Sequence, residues 1–228
     1  MNKLILLFAI CVLFIAYGCT PEENPEPTAS PAPSNAATVE FAESAKAVTP
    51  LLTGTQIPNG QLRTTSGDTV QLMNLVSEQP TVFIFYRGGW CPYCNKHMAE
   101  LQQAQSKLTE MGYRILAISP DSPEYLQKSV SEHNLGYTLL SDSPMEVTSA
   151  FGLAYKVDQE TVDRYKENGL DLANRSGYDH YLLPVPAVFL VDTNGMIRFQ
   201  YVNPDYTTRI NKNVLLTAAE EYYPETTS

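Results

Sequence analysis

The sequence predicts an α/β domain of three layers, with helices on both faces of a central mixed sheet. Three observations carry that expectation. Thr81-Val82-Phe83-Ile84-Phe85-Tyr86 is a continuous, β-rich apolar run, the pattern of a strand buried on both faces. Residues 92–110 then repeat apolar side chains at helical spacing through Cys94, Met98, Leu101, Ala104 and Leu108. Near the end of the chain, Asp192-Thr193-Asn194-Gly195 joins two further β-rich runs, a strong hairpin signal. A strand–helix–strand unit followed by a hairpin and a terminal helix gives a mixed sheet.

The elements follow in order. A short helix is expected over 39–48. Alternation over 61–65 and 69–72, around Ser66-Gly67-Asp68, predicts a small hairpin. After the strand at 81–86 comes a helix over 92–110, with Pro92 in its first turn, where a missing N–H costs nothing. Residues 113–119 read as a strand and 123–134 as a helix capped by Asp121 or Ser122. A short strand over 137–140 and a short helix over 145–151 come next. Between 154 and 183 the pattern weakens: 157–169 has helical character and the rest reads as loop. Strands over 187–191 and 196–201 flank the Asn194-Gly195 turn, and a last helix is expected over 206–221.

The chain has 228 residues, of which 43% are hydrophobic, enough for a real core. Its 25 acidic and 15 basic residues leave a net charge of −10, a surface that repels phosphate backbones and argues against nucleic-acid binding. The first residues read as a targeting segment. Lys3 gives a positive start, and the apolar run over 4–15 suits a signal-peptide core and is too short to span a bilayer comfortably. Ala16-Tyr17-Gly18-Cys19 resembles the lipobox of bacterial lipoproteins, with Ala16 in place of the usual leucine. We therefore expect a lipoprotein signal peptide over 1–18, with Cys19 as the lipid-attachment residue. Residues 19–37 hold five prolines between Pro21 and Pro33 and read as an extended tether. The folded domain is expected over 38–228. These features place the protein in the bacterial cell envelope, anchored to the membrane through lipid. Glu22 and Glu23 resemble surface-export signals of some lipoproteins, so an outer-membrane anchor facing either the periplasm or the surface fits.

Of the four cysteines, Cys11 and Cys19 belong to the leader, which leaves Cys91 and Cys94. They stand in Trp90-Cys91-Pro92-Tyr93-Cys94, directly after a buried strand and at the start of a helix. Cys91 is placed where unpaired N–H groups favour a thiolate. Cys94 lies one turn on, on the inward stripe, so it should be more buried and less ionised. Cys91 then attacks and Cys94 resolves. Competing uses of the pair are weaker. A structural zinc needs about four ligands, and only His97 stands near. A c-type haem needs histidine after the second cysteine, where Asn95 stands. A purely structural disulfide would close only one helical turn. No metal and no cofactor are expected. His97 is either a base or a packed helix histidine, the latter being the more common case. His133 and His180 have no motif around them, and Tyr86 and Tyr93 flank the site.

The run Phe85-Tyr86-Arg87-Gly88-Gly89-Trp90-Cys91-Pro92-Tyr93-Cys94-Asn95 resembles the signature of the peroxiredoxin-like branch of the thioredoxin superfamily, the alkyl hydroperoxide reductase and thiol-specific antioxidant group. Ile118-Ser119-Pro120, Leu140-Ser141-Asp142, Phe151-Gly152-Leu153, Leu183-Pro184-Val185-Pro186-Ala187, the segment 192–197 and Asp205-Tyr206-Thr207-Thr208-Arg209 fall in the family's order. The resemblance implies a thioredoxin-like fold, Cys91 as the peroxide-attacking thiol and Pro186 as a cis-proline facing it, so that Trp90 and Pro186 border a substrate groove. It also implies a hydroperoxide substrate and a thioredoxin-like reductant.

Two departures stand out. Peroxiredoxins carry a threonine three residues before the attacking cysteine, and here that position is Gly88. They carry an arginine at the start of the late strand, and here Pro186 stands there, as in thioredoxin-like disulfide reductases. Arg87, Arg198 and Arg209 are the candidates to support the thiolate instead. Cys-Pro-Tyr-Cys also matches the glutaredoxin dipeptide. The sequence therefore carries two main readings: a peroxiredoxin-like thiol-dependent peroxidase using the Cys91–Cys94 pair, and an envelope thiol–disulfide oxidoreductase that reduces protein disulfides without peroxide chemistry. A third, a non-enzymatic binding module, is opposed by the intact cysteine motif.

Overall fold

The computed structural model describes residues 39–133 and 136–222. The expectations for the signal segment over 1–18, for Cys19 and for the tether over 19–37 lie outside the described residues. Among the described residues no helix is long and apolar enough to cross a membrane.

The expected architecture is present: a seven-stranded mixed sheet with helices on both faces. Strands β1 (Gln61–Arg63) and β2 (Thr69–Gln71) form the first hairpin, pairing Leu62 with Val70. Helix α1 (Leu72–Glu78) follows at once and buries Leu72 and Val76 one turn apart. Strand β3 (Thr81–Phe85) is buried at every position. Helices α2 (Pro92–Gln102) and α3 (Gln105–Glu110), strand β4 (Arg114–Ser119), helix α4 (Pro123–His133), strand β5 (Thr138–Ser141) and helix α5 (Glu146–Ala150) complete the first half. Then come β6 (Ala154–Lys156), α6 (Gln159–Glu167), α7 (Leu172–Ser176), β7 (Leu182–Pro184), β8 (Ala187–Val191), β9 (Ile197–Val202) and α8 (Lys212–Glu221).

The sheet order is β2-β1-β5-β4-β3-β8-β9. β4 lies at its centre, and β3 beside it is an interior strand, parallel to β4 and antiparallel to β8. Successive side chains of β3 point to opposite faces. Val82 and Ile84 join one core with Met98, Leu101, Leu108 and Leu215, under α2, α3 and α8. Phe83 and Phe85 join the other with Leu72, Val76, Val147 and Phe151, under α1 and α5. Phe85, Phe151 and Phe189 interlock there, with ring centroids 4.9 to 5.9 Å apart. The C-terminal ends of the parallel strands β3 and β4 open onto one edge, where chain turns meet.

Several expectations need correction. The helix expected over 39–48 is a single 3-10 turn, Ala45–Ala47, because Ala42 exchanges backbone hydrogen bonds with Ala154 and Lys156 beside β6. The helix over 92–110 is broken at Gln103 and Ala104, whose N–H groups reach back only three residues, to Glu100 and Leu101. The apolar stripe nonetheless stays inward across the break. The helix expected over 206–221 starts only at Lys212. Asp205 ties Thr207 and Thr208 into a turn, and the helix is capped by Asn211, which accepts from the Asn213 N–H. Residues 154–184 form a small unit of their own: α6 falls inside the helical stretch expected over 157–169, but the remainder, read as loop, holds two strands and a second helix. There β6 and β7 pair antiparallel, and α6 and α7 pack Val162 and Leu172 against Val157 and Leu183. Both helices are capped by aspartates, Asp158 and Asp171.

Candidate active site

Cys91 is the N-cap of α2, at the end of the chain turn that leaves β3. Its carbonyl accepts from the Asn95 N–H and its own N–H donates to the Gly88 carbonyl at 3.1 Å. Pro92 follows at the first helical position, as expected. The two thiols are free. They do not differ in exposure as expected, since Cys91 and Cys94 are each only 1% exposed. What separates them is the hydrogen bond between them. Cys94 donates its S–H to Cys91, which outweighs burial and brings the Cys91 thiol down to about 6, with help from the Cys94 N–H, Arg87 and Arg209. Giving that bond, together with burial, pushes Cys94 well above the ordinary thiol range. Cys91 is thus the more acidic of the two thiols, chiefly through their pairing.

The turn before Cys91 is built on two glycines. Gly88 has φ +138°, and a Cβ there would lie 2.4 Å from Trp90 Nε1 and 2.7 Å from Trp90 Cδ1. A threonine at this position would displace the tryptophan, which is the physical content of the family departure noted above. At Gly89 a Cβ would meet Ser129 Oγ at 2.1 Å. Asn95 Nδ2 reaches back from α2 to the Gly89 carbonyl at 2.8 Å.

The candidate arginines have separate fates. Arg87 is 3% exposed and its guanidinium lies 4.1 Å from the Tyr206 ring, 5.0 Å from Trp90 and 5.9 Å from Tyr165. Its Nη2 donates to Tyr165 Oη at 2.5 Å, while its Nε is buried without a partner. Arg209 donates from Nη2 to Cys94 Sγ at 3.5 Å, so it meets the redox pair at the second cysteine. Arg198 leaves the site altogether: it is paired with Asp192 at 2.6 Å, across the hairpin.

His97 is buried one turn beyond Cys94, its Nε2 without a hydrogen-bond partner. Burial, reinforced by the charge of Arg209, lowers its imidazole to about 4. It is neutral near pH 7 and packs in the helix rather than serving as a ready base. His180 is structural: its Nδ1 accepts from the Leu182 N–H, and Nε2 is 2.7 Å from the Ser143 carbonyl. The side chain of His133 lies outside the described residues. Tyr86 packs among the buried residues with both cysteines. Tyr93 is exposed, edge-on to Tyr206 with centroids 5.7 Å apart. Pro186 is buried just before β8, and the pairing of Phe85 with Ala187 sets it beside the exit of β3.

Three contributors escaped the sequence reading. Asp121, one of the two cap candidates for α4, accepts from the Gly89 N–H at 2.7 Å, while Ser122 stands directly ahead of the helix and its carbonyl accepts the Leu126 N–H. Arg175 holds that carboxylate with two hydrogen bonds of 2.9 and 3.0 Å. Tyr165 packs against Trp90 with its ring tilted by 60° and centroids 5.6 Å apart. The signal for Asp121 was its position, at the end of the strand beside β3. Tyr165 lies in the stretch read as helical and Arg175 in one read as loop, and neither position pointed to the cysteines.

The AhpC/TSA family model matches residues 53–200. Among curated relatives, the putative peroxiredoxin bcp of Haemophilus influenzae is 31% identical over 104 residues, 46% of this chain and 66% of the relative. The thiol-disulfide oxidoreductase ResA of Halalkalibacterium halodurans is 28% identical over 101 residues, 44% of this chain and 56% of the relative. These matches thus span less than two thirds of each relative's own length. Among solved structures, peroxidoxin BcpB from Mycobacterium tuberculosis matches with a TM-score of 0.60 at 19% identity, covering 75% of this chain and 98% of that one. Reduced Prx3 from Vibrio vulnificus matches at 0.61 and 16% identity, covering 75% and 99%. The structural likeness speaks for the fold alone. The sequence pattern, which runs through well over half the chain and contains both cysteines, speaks for descent: this chain belongs to the AhpC/TSA family, in the peroxiredoxin-like branch of the thioredoxin superfamily.

Proposed function

We propose that the protein is a thiol-dependent peroxidase that reduces hydroperoxides through Cys91 and Cys94. The observation that carries this reading is the placement of two free, buried thiols one turn apart at the start of α2, with Cys91 at the N-cap; there the Cys91 thiol is brought down to about 6 and Cys94 is pushed up. The Cys91 thiolate attacks the terminal peroxide oxygen, the O–O bond breaks, and the departing alkoxide takes a proton and leaves as alcohol or water. Cys91 becomes a sulfenic acid. Cys94, one turn away, condenses with it to a disulfide and releases water. A thioredoxin-like dithiol then supplies two electrons and two protons to restore both thiols. Arg87 and Arg209 support the thiolate electrostatically, and Trp90 and Pro186 border the groove.

One observation favours a second reading. Gly88 leaves no room for the threonine hydroxyl that would orient a peroxide, and the relative named as a thiol-disulfide oxidoreductase matches comparably well. On that reading the same pair reduces protein disulfides, with Cys91 forming the mixed disulfide and Cys94 resolving it. The two are separated by single-turnover fluorescence of Trp90, the only tryptophan. Hydroperoxide added to the reduced protein should change its emission and a dithiol should reverse the change. No response to peroxide, with rapid reduction of insulin disulfides, would establish the second reading instead. The leader, Cys19 and the tether support placement in the cell envelope on a lipid anchor.

A further inference from the structure

The 154–184 unit reaches the cysteine turn through a buried ion pair that the proposed chemistry does not use. Asp121 is 1% exposed and Arg175 is 19% exposed. The Asp121 carboxylate accepts the Gly89 N–H through Oδ2, and Arg175 grips both of its oxygens. The carboxylate is closed off from solvent, while the guanidinium keeps an exposed edge. On the buried side charge is weakly screened and acts strongly. A buried carboxylate is costly unless paired, and this one lies on the turn that ends in the nucleophile. Its charge is felt in the site, since after burial it is the next cause raising the phenol of Tyr86.

We propose that Arg175 and Asp121 are positioning residues for Cys91: Asp121 fastens the Gly89–Cys91 turn, and Arg175 cancels the negative charge that this fastening brings to the turn two residues before the thiolate. The proposal rests on the reading of Cys91 as nucleophile. It assigns a role to the 154–184 unit, which supplies the cation, so α7 governs reactivity without touching either sulfur. The other groups acting on Cys91 are Cys94 on α2, Arg87 at the end of β3 and Arg209 ahead of α8, all left in place by the variants below.

The test is the pH dependence of Cys91 carbamidomethylation in the full-length reduced protein, quantified at that residue by mass spectrometry. Arg175→Met leaves an uncompensated carboxylate and should move the midpoint up by about 0.5 pH unit, a roughly threefold slower labelling below the midpoint. Asp121→Asn leaves an uncompensated cation and should move it down by a similar amount. The double variant should return near wild type. Loosening of the turn alone would shift every variant in the same direction, so opposite signs and their cancellation distinguish charge from structure. Shifts of one sign, or none, overturn the proposal. If Arg175→Met fails to fold, Asp121→Asn alone decides it, since an unchanged or raised midpoint is fatal. Should wild-type Cys94 label before Cys91, the assignment of the nucleophile fails rather than the positioning role.

Discussion

Replacing Gly88 with alanine should destabilise the domain and disturb Trp90, although the added group is one methyl. Two costs combine. The backbone there, at φ +138°, is one that L residues rarely adopt, at about 1–3 kcal/mol. The new Cβ would also stand 2.4 Å from Trp90 Nε1 and 3.0 Å from Asp121 Oδ1, and overpacking of that kind costs about 1–3 kcal/mol. The total, about 2–6 kcal/mol, corresponds to a fall in Tm on the order of 5–20 °C for a domain of this size. Thermal unfolding followed by circular dichroism measures the loss, and Trp90 emission at 20 °C reports whether the ring has left Tyr165 and Arg87. Restoring the family's threonine, by Gly88→Thr, should for the same reason fail to raise activity toward peroxide. An alanine variant with unchanged Tm and unchanged emission would refute the claim that Trp90 and the turn exclude a side chain.

The other expectations are as follows. With the His97 imidazole lowered to about 4 in the fold, the unfolded chain binds the extra proton between roughly pH 6.5 and 4. Stability therefore falls with pH across that window, by up to about 3 kcal/mol. Urea unfolding at pH 7 and pH 4.5 should show a smaller difference for His97→Met than for wild type, and equal differences would exclude His97 as the cause. Arg209→Gln removes a positive charge that lowers both Cys91 and His97. The alkylation midpoint of Cys91 and the NMR titration of His97 should both move up, and movement of neither would remove Arg209 from the site. Cys19→Ser should abolish labelling by radioactive palmitate and release the protein from the membrane fraction, and unchanged partitioning would contradict the anchor.

The central part of the fold was legible because single elements there carry several signals at once. Residues 81–86 are apolar, β-rich and followed by a helix with Pro92 at its start, and β3 and α2 appear where that pattern puts them. The Asn194-Gly195 turn likewise names its own hairpin. The 154–184 unit was legible only in α6, inside the helical stretch 157–169. Its strands are three residues each, too short to show alternation, and they gain stability from pairing with each other and from packing on Trp90, contacts distant in sequence. Side-chain capping left a choice between Asp121 and Ser122, and Asp121 serves the cysteine turn. Asp205 closes a turn ahead of Asn211, which delays the last helix. The cysteine pair was legible from spacing. The arginines were not, because a guanidinium's destination depends on which carboxylate, ring or sulfur the fold sets within reach. Arg198 found Asp192, Arg87 found three aromatic rings, and Arg209 found Cys94.

The central claim, that Cys91 is the sulfur oxidised by hydroperoxide and Cys94 the one that resolves it, is tested most directly by trapping the intermediate. Reduced Cys94→Ser, treated with one equivalent of hydroperoxide in the presence of dimedone, should acquire a single adduct located at Cys91 by peptide mass spectrometry. Cys91→Ser should acquire none, and wild type should pass to a Cys91–Cys94 disulfide with little adduct. An adduct on Cys94 in the Cys91→Ser protein, formed as fast as the one on Cys91 in Cys94→Ser, would contradict the account.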